Sequence, residues 1–246
     1  MKNETFLNKF KKIKNKGWIE SKRNGTTGIG YTFENLIGKK EDNLPIADFE
    51  GIEIKTIHNY IKEKVIHLFN ATPDGDYLYP IKEIHEKFGY PDKDNKEYRV
   101  FNMDITANKY TTISYNKKMK LYVDYENEKI YLRVYDKNKE MTNIKISWSF
   151  DLLKEKINNK IKKIAIVKAN TLKKENKEFF KYTNYEIYEI KSFEKFIENI
   201  ENGNIIITFK IGNFKNGKRK GQIHDHGTGF SIKYKDIYKL YKSAPK

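Results

Sequence analysis

The chain has 246 residues and a formal net charge of +16, from 49 Lys and Arg against 33 Asp and Glu. Its 18 Tyr, 15 Phe and 2 Trp are too many for a disordered basic tail, so the charge belongs to a folded body, either one two-lobed domain or two small ones. The absence of cysteine leaves no disulfide, thiolate metal site or cysteine nucleophile, and a surface this basic favours polyanionic partners. Lysine-rich chains also arise from biased genome composition, so motifs have to decide.

Thr5 is placed to cap a helix in which Phe6, Leu7, Phe10 and Ile13 share one side and Lys9, Lys11, Lys12 and Lys14 the other, with Gly17 as its stop. A loop rich in glycine, threonine and basic residues runs from Gly17 to Gly30 and opens onto a short helix, Tyr31 to Ile37, closed by Gly38. After a polar turn at Pro45, residues Ala47 to His58 alternate as a strand does. Ile52 and Ile54 then face one way, Glu53 and Lys55 the other. Val65 to Phe69 reads as the neighbouring strand and Pro80 to Phe88 as a helix, followed by a charged loop from Tyr90 to Glu97.

The middle of the chain is β-rich: Lys118 to Tyr125 and Lys129 to Tyr135 form a predicted hairpin. Phe150 to Ile161 has helical spacing, and Ile164 to Val167 is short enough for a buried strand. Ser192 caps a helix with Phe193, Phe196, Ile197 and Ile200 on one stripe, stopped by Gly203 and followed by a strand, Ile205 to Ile211. Phe214 to Lys220 is a basic glycine loop, Gln222 to Ile232 a candidate strand and Lys235 to Tyr241 a terminal helix. The expected fold class is mixed α/β. The expected division is a catalytic lobe over residues 1–100 and a β-rich insertion and recognition lobe over 101–246 that can return strands to the first sheet. Met1 to Lys16 carries no apolar stretch of signal-peptide length, and no run approaches the ~18 apolar residues of a membrane helix, so no membrane partner is expected.

The chemistry concentrates in Asp48-Phe-Glu-Gly-Ile-Glu53-Ile-Lys55. Hydrolysis of a phosphodiester calls for a hard cation to neutralise phosphoryl charge and acidify its bound water, and two carboxylates supply such a site. Lys55, on the face of Glu53, is suited to stabilise developing negative charge or to orient the attacking water. The pattern is short, and a solvated strand face of alternating charges is the plain alternative. Gly25-Thr-Thr-Gly28-Ile-Gly30 is no Walker loop, because no Gly-Lys-Ser/Thr closes it, and no Rossmann fingerprint, because Glu20 to Asn24 is polar. Its glycines suit close approach of backbone to a phosphate, with Lys22, Arg23, Thr27 and Gly28 as contacts; an ordinary turn is the alternative. His58, His67 and His85 stand alone and are taken as structural, and the tyrosines of the hairpin as packing.

The stretch Gly28 to Gly38 with Asn43 to Thr56 resembles the catalytic segment of the MvaI/BcnI restriction endonucleases and of the mismatch-repair nickase MutH, within the PD-(D/E)xK nuclease superfamily. The resemblance implies a restriction-endonuclease-like core, a mixed central sheet flanked by helices, with two lobes forming a DNA-binding cleft. It implies that Asp48 and Glu53 bind magnesium, for which manganese can substitute, that Lys55 assists the attack and that Glu34 supports the site. Glu50 competes for the ligand role but does not match the family position.

Gly221 to Phe230 is similar to the His-Asp-His-Gly-Thr segment of the same enzymes, which MutH lacks. That implies base reading by His224, Asp225, His226 and Thr228, with Lys218 and Arg219 upstream as base or phosphate contacts. His224 and His226 also share a face suited to a metal pair, but no third soft ligand is near and Asp225 points away. Where related sequences tend to carry Asp-x-Arg on the preceding strand, this chain has Thr208-Phe-Lys210, with Lys210 as a DNA contact, so base identity does not transfer.

Taken together, the expectation is a type II restriction endonuclease. It would be a magnesium-dependent monomer in the bacterial cytoplasm that cuts double-stranded DNA at a short C/G-rich, CCNGG-like site to 5′-phosphate and 3′-hydroxyl ends, its host protected by a cognate methyltransferase. The rival expectations are a MutH-like nickase and a catalytically silent DNA- or RNA-binding module.

Overall fold

The computed structural model describes residues 5–39, 47–60, 64–75 and 78–244; the turn at Pro45 lies outside them. In chain order the elements are α1 (Phe6–Asn15), β1 (Ile19–Glu20), α2 (Gly28–Ile37), β2 (Glu53–His58), β3 (Val65–Asn70), α3 (Leu78–Phe88), β4 (Tyr90–Pro91), β5 (Arg99–Ile105), β6 (Thr111–Ser114), β7 (Lys117–Asp124), β8 (Lys129–Asp136), β9 (Lys139–Glu140) and β10 (Ile146–Ser149). There follow α4 (Phe150–Lys156), which runs into a π turn at Ile157–Ile161, then β11 (Lys163–Lys174), β12 (Lys177–Ile190), α5 (Phe193–Glu201), β13 (Ile205–Asn213), β14 (Ile223–Asp225), β15 (Gly229–Lys233), α6 (Ile237–Leu240) and β16 (Tyr241–Ser243). No helix among the described residues is long and apolar enough to cross a membrane.

Two compact units share these elements. The first comprises residues 1–66, 156–192 and 234–246, the second 67–155 and 193–233, so the division does not fall at residue 100. The cause is the pairing of β2. Its neighbour is β11, in parallel, with Glu53 opposite Ile164 and Lys55 opposite Ile166. Parallel strands need a crossover connection, and here residues 67–155 of the second unit lie within it, while the rest of that unit, 193–233, follows β12. β3, expected beside β2, joins the sheet of β15 instead.

In the first unit the sheet order is β1-β12-β11-β2, with β16 also on β12. The long antiparallel pair β11–β12 turns through Glu175 and Asn176, both with positive φ (51° and 60°), the geometry whose twist matches a two-residue hairpin. Helices α1 and α2 cover one face. Thr5 accepts a hydrogen bond from the Asn8 amide at 3.4 Å and caps α1, whose Phe6, Phe10 and Ile13 are buried at i, i+4 and i+7. Phe10 meets the Tyr185 ring edge-on at 4.6 Å, and Phe33 of α2 lies 4.9 Å from the Tyr182 ring, in a core with Ile54, Val167 and Phe180. Truncating Phe33 there would cost about 3–5 kcal/mol.

The second unit holds two sheets, ordered β3-β15-β13-β5-β4, with β14 on β13, and β10-β8-β7-β6, with β9 on β8. The expected hairpin is present as β7–β8. Trp148 is fully buried between Phe209 and Phe230, and its indole N–H donates to the Ala71 carbonyl at 3.0 Å. The expected strand from Gln222 to Ile232 is broken into β14 and β15 by a turn at Gly227, where φ is 98°.

Candidate active site and nucleic-acid interface

The spacing of the acidic motif is explained by a turn. Residues 47–52 do not continue β2 as a strand. Glu50 and Gly51, with φ of 47° and 77°, fold the chain back so that Phe49 and Ile52 exchange backbone hydrogen bonds of 3.0 and 2.8 Å. Asp48 is thereby returned alongside β2, and its Oδ2 accepts the Ile54 amide at 2.8 Å. The other oxygen, Oδ1, is ion-paired with Lys39. Glu50, the competing acid, sits exposed at the tip of the turn.

Glu53 and Lys55 share a strand face, as the alternation predicted, and Lys55 Nζ donates to Glu53 Oε1 at 2.8 Å. A second ammonium, Lys160 of the π turn, stands 3.7 Å from the same oxygen. The Glu53 side chain is 4% exposed. Its Oε2 is buried and accepts no hydrogen bond. Burial pushes the Glu53 carboxyl above its ordinary value; the Lys55 ammonium opposes that shift and the Asp48 carboxylate adds to it. Glu34, half-buried on α2, is raised first by burial and then by Asp48, with Glu53 adding and Lys39 and Lys55 opposing. Charge is therefore disfavoured on both Glu34 and Glu53 beside an orphaned buried oxygen, an arrangement that a divalent cation relieves.

No group of three acidic or histidine side chains among the described residues is assembled tightly enough to hold a metal alone. A small hard cation does not demand one, since it commonly takes one or two carboxylates and completes its shell with water and phosphate oxygens. The donors here, Asp48 and Glu53, fit that mode. Lys39 and Lys160 were not singled out in the sequence, because each reaches the site through a turn that no periodicity announces.

The basic loop before α2 is held by local bonds. The Lys22 amide donates to Thr32 Oγ1 at 3.0 Å, the Lys22 ammonium bonds Asn35, and the Arg23 guanidinium lies 3.8 Å from the centre of the Tyr31 ring. α2 starts at Gly28, three residues before the expected Tyr31. Gly28 is buried, its amide donates to the Gly25 carbonyl at 3.0 Å, and a Cβ there would come within 2.5 Å of the Arg23 carbonyl and 2.6 Å of Ser21 Oγ. The close approach that requires this glycine is therefore to its own loop rather than to a phosphate. Thr27 is exposed at the helix start.

In the second unit the Arg219 guanidinium lies 4.0 Å from the Phe214 ring centre, Phe214 stacks on His224 at 4.0 Å and 13°, and His224 lies 4.0 Å from His226. Three of the expected readers thus join one column. Burial holds the His224 imidazole below its ordinary value, and His226 and Arg219 push it the same way. Asp225 accepts the Gly227 amide at 2.9 Å and is raised by burial. Lys210, Lys218 and His226 are exposed. Thr228 is not: just past the turn at Gly227 it is fully buried with its hydroxyl unpartnered, and its side chain offers no atom to a base. Of the lone histidines, His58 meets Thr171 Oγ1 at 2.7 Å and His85 the Arg99 carbonyl at 2.9 Å, while His67 is exposed with its Nδ1 3.4 Å from Ser231 Oγ.

The model of the MvaI/BcnI restriction endonuclease family matches residues 7–241. Among solved structures, one described as restriction endonuclease MvaI with its cognate DNA substrate is 32% identical, covers 96% of this chain and 94% of its own, and superposes with a TM-score of 0.85. Another, restriction endonuclease MvaI in the absence of DNA, is 33% identical over 99% of both chains with a TM-score of 0.62. No curated protein matches. The chain belongs to the MvaI/BcnI restriction endonuclease family and is a site-specific deoxyribonuclease with a restriction-endonuclease-like mixed α/β fold.

Proposed function

We propose that the protein is a type II restriction endonuclease that hydrolyses double-stranded DNA at a short C/G-rich, CCNGG-like sequence in the presence of Mg²⁺, with Mn²⁺ as a substitute. The observation that carries the reading is the buried, unpartnered Glu53 Oε2 beside Lys55 and across a turn from Asp48. Asp48 and Glu53 hold the cation and Glu34 supports them. Bound there, a divalent ion neutralises charge on the phosphoryl oxygens and lowers the pKa of water.

Lys55, steadied by Glu53, directs its remaining N–H donors at a non-bridging phosphate oxygen and at the attacking water. Water oxygen attacks phosphorus, the P–O3′ bond breaks, and the 3′ oxygen takes up a proton, leaving 5′-phosphate and 3′-hydroxyl ends. Lys22, Arg23 and Thr27 contact phosphates. Lys210, Lys218, Arg219 and the His224–His226 segment read bases, where charged and imidazole groups distinguish major-groove donors from acceptors. A monomer cuts one strand and rebinds to cut the other, in a cytoplasm where a cognate methyltransferase protects the host sites.

Plasmid DNA incubated with purified protein and Mg²⁺ tests this reading. Discrete fragments whose sequenced ends share one short motif are expected; no cutting, or ends scattered without a motif, would overturn it.

A further inference from the structure

We infer that Asp104, on β5, determines sequence specificity by accepting a hydrogen bond from the exocyclic amine of a cytosine, with Lys210 of β13 reading the guanine of the same pair. The inference rests on the proposed DNA cleavage and names a specificity residue for it.

One face of the β5–β13 pair is apolar and buried, through Phe101, Ile105, Phe209 and Ile211. The opposite face borders a cavity of about 810 Å³ that Asn102, Asp104, Thr208, Lys210 and His226 help to line. Register sets the order on that face: Thr208 stands opposite Asp104 and Lys210 opposite Asn102, while the His226 amide donates to the Lys210 carbonyl at 2.9 Å. The segment expected to read bases is therefore continuous with this row. Gly212, opposite His224, adds no side chain to it.

The charges on the row are arranged unusually. Lys215, at the same cavity, is satisfied by Asp92 at 3.2 Å. Asp104 and Lys210, by contrast, are both exposed, and among the described residues neither has an ion-pair partner. They occupy diagonal positions on one face, about 7–8 Å apart between Cα atoms, yet do not pair with each other. Asp104 is nevertheless held: Thr208 Oγ1 donates to its Oδ1 at 2.6 Å, leaving Oδ2 open.

A fixed acceptor beside an exposed ammonium complements one base-pair edge in particular. In the major groove a C·G pair presents the cytosine N4 amine beside the guanine O6 and N7 acceptors. A thymine presents O4 where cytosine has its amine and so repels a carboxylate, and an adenine places acceptor N7 next to its amine. Cytosine is the base that meets Asp104 without an opposed acceptor.

The test begins with the site recovered by sequencing the ends of wild-type fragments. Duplexes with each C·G pair changed singly to T·A are then bound, without divalent metal, by wild type, Asp104→Asn and Thr208→Val. Wild type is expected to lose about 10-fold or more at the pair that Asp104 reads and at its symmetry mate if the site is palindromic. Asp104→Asn, whose amide can donate to thymine O4, should narrow the gap between the two duplexes at that position by about 3-fold or more, the Lys210 contact to guanine leaving a residual preference, while keeping discrimination elsewhere. Thr208→Val should relax the same position to a lesser degree. An unchanged discrimination profile for Asp104→Asn, or a uniform loss on every duplex including a random one, would overturn the inference and leave the nuclease reading intact. A wild type that yields no discrete fragments would instead remove the reading on which it stands.

Discussion

Lys55 Nζ lies 2.8 Å from Glu53 Oε1, a contact made possible because the two residues are separated by one residue on the same strand. It holds the ammonium beside the carboxylate oxygen that has no partner of its own. Lys55→Met keeps the aliphatic stem and removes the charge. Cleavage should fall by about 10²–10⁴ while binding to the same duplex stays within a few fold. Single-turnover cleavage beside a gel-shift titration measures both; cutting within about tenfold of wild type would take the ammonium out of the reaction.

The net charge of +16 gives binding a strong electrostatic component. For roughly 6–10 phosphate contacts, affinity should drop by about 10³–10⁵ between ~50 and ~200 mM salt. Fluorescence anisotropy on a random duplex reads the slope directly. A flat response would contradict a phosphate-dominated interface.

Thr228 carries a buried hydroxyl without a partner, so its removal should help rather than harm. Thr228→Val is expected to stabilise the protein by about 1–2 kcal/mol, raising the melting temperature by roughly 2–8 °C for a chain of this size, with the recognised site unchanged. A lower melting temperature would mean that the hydroxyl is bonded, and altered site choice that it does reach a base.

Glu186 on β12 links Lys168, at 2.7 Å, with Tyr188, at 3.0 Å, and Tyr234. Burial pushes its carboxyl up, but the hydrogen bonds from Lys168, Tyr234 and Tyr188 together outweigh burial and hold it below its ordinary value. A depressed folded-state value stabilises the fold above the unfolded carboxylate range and is lost as pH falls through it. Glu186→Gln should therefore melt lower than wild type near pH 7, and the gap should close below about pH 4. A gap that persists unchanged into acid would mean the carboxylate charge is not what stabilises this network.

Much of the site could be read in the sequence because it rests on short-range rules. The strand period places Glu53 and Lys55 together, and the resemblance that singled out Asp48 points to a residue the turn at Glu50 and Gly51 does bring alongside them. The hairpin β7–β8 and the capped helix α1 were legible for the same reason. What escaped depends on distant chain. Nothing near β2 announces that β11, more than a hundred residues later, is its neighbour, and the same parallel crossover moves the boundary between units away from residue 100. β12 was passed over because its hairpin turn, Glu175-Asn176, lacks the glycine that usually marks one. Thr228 is expected as a reader because the resemblance places it in the His-Asp-His-Gly-Thr segment, and sequence alone does not show that its side chain is buried just past the turn at Gly227.

The most direct test of the catalytic assignment is single-turnover cleavage of the enzyme's own site by Asp48→Asn in saturating Mg²⁺, with binding to that duplex followed in parallel. The substitution keeps the side chain's shape and an oxygen for the Ile54 amide while removing the charge offered to the cation. Cleavage reduced by about 10²–10³ or more, with the duplex still bound, is the predicted result; cleavage at the wild-type rate would contradict the account.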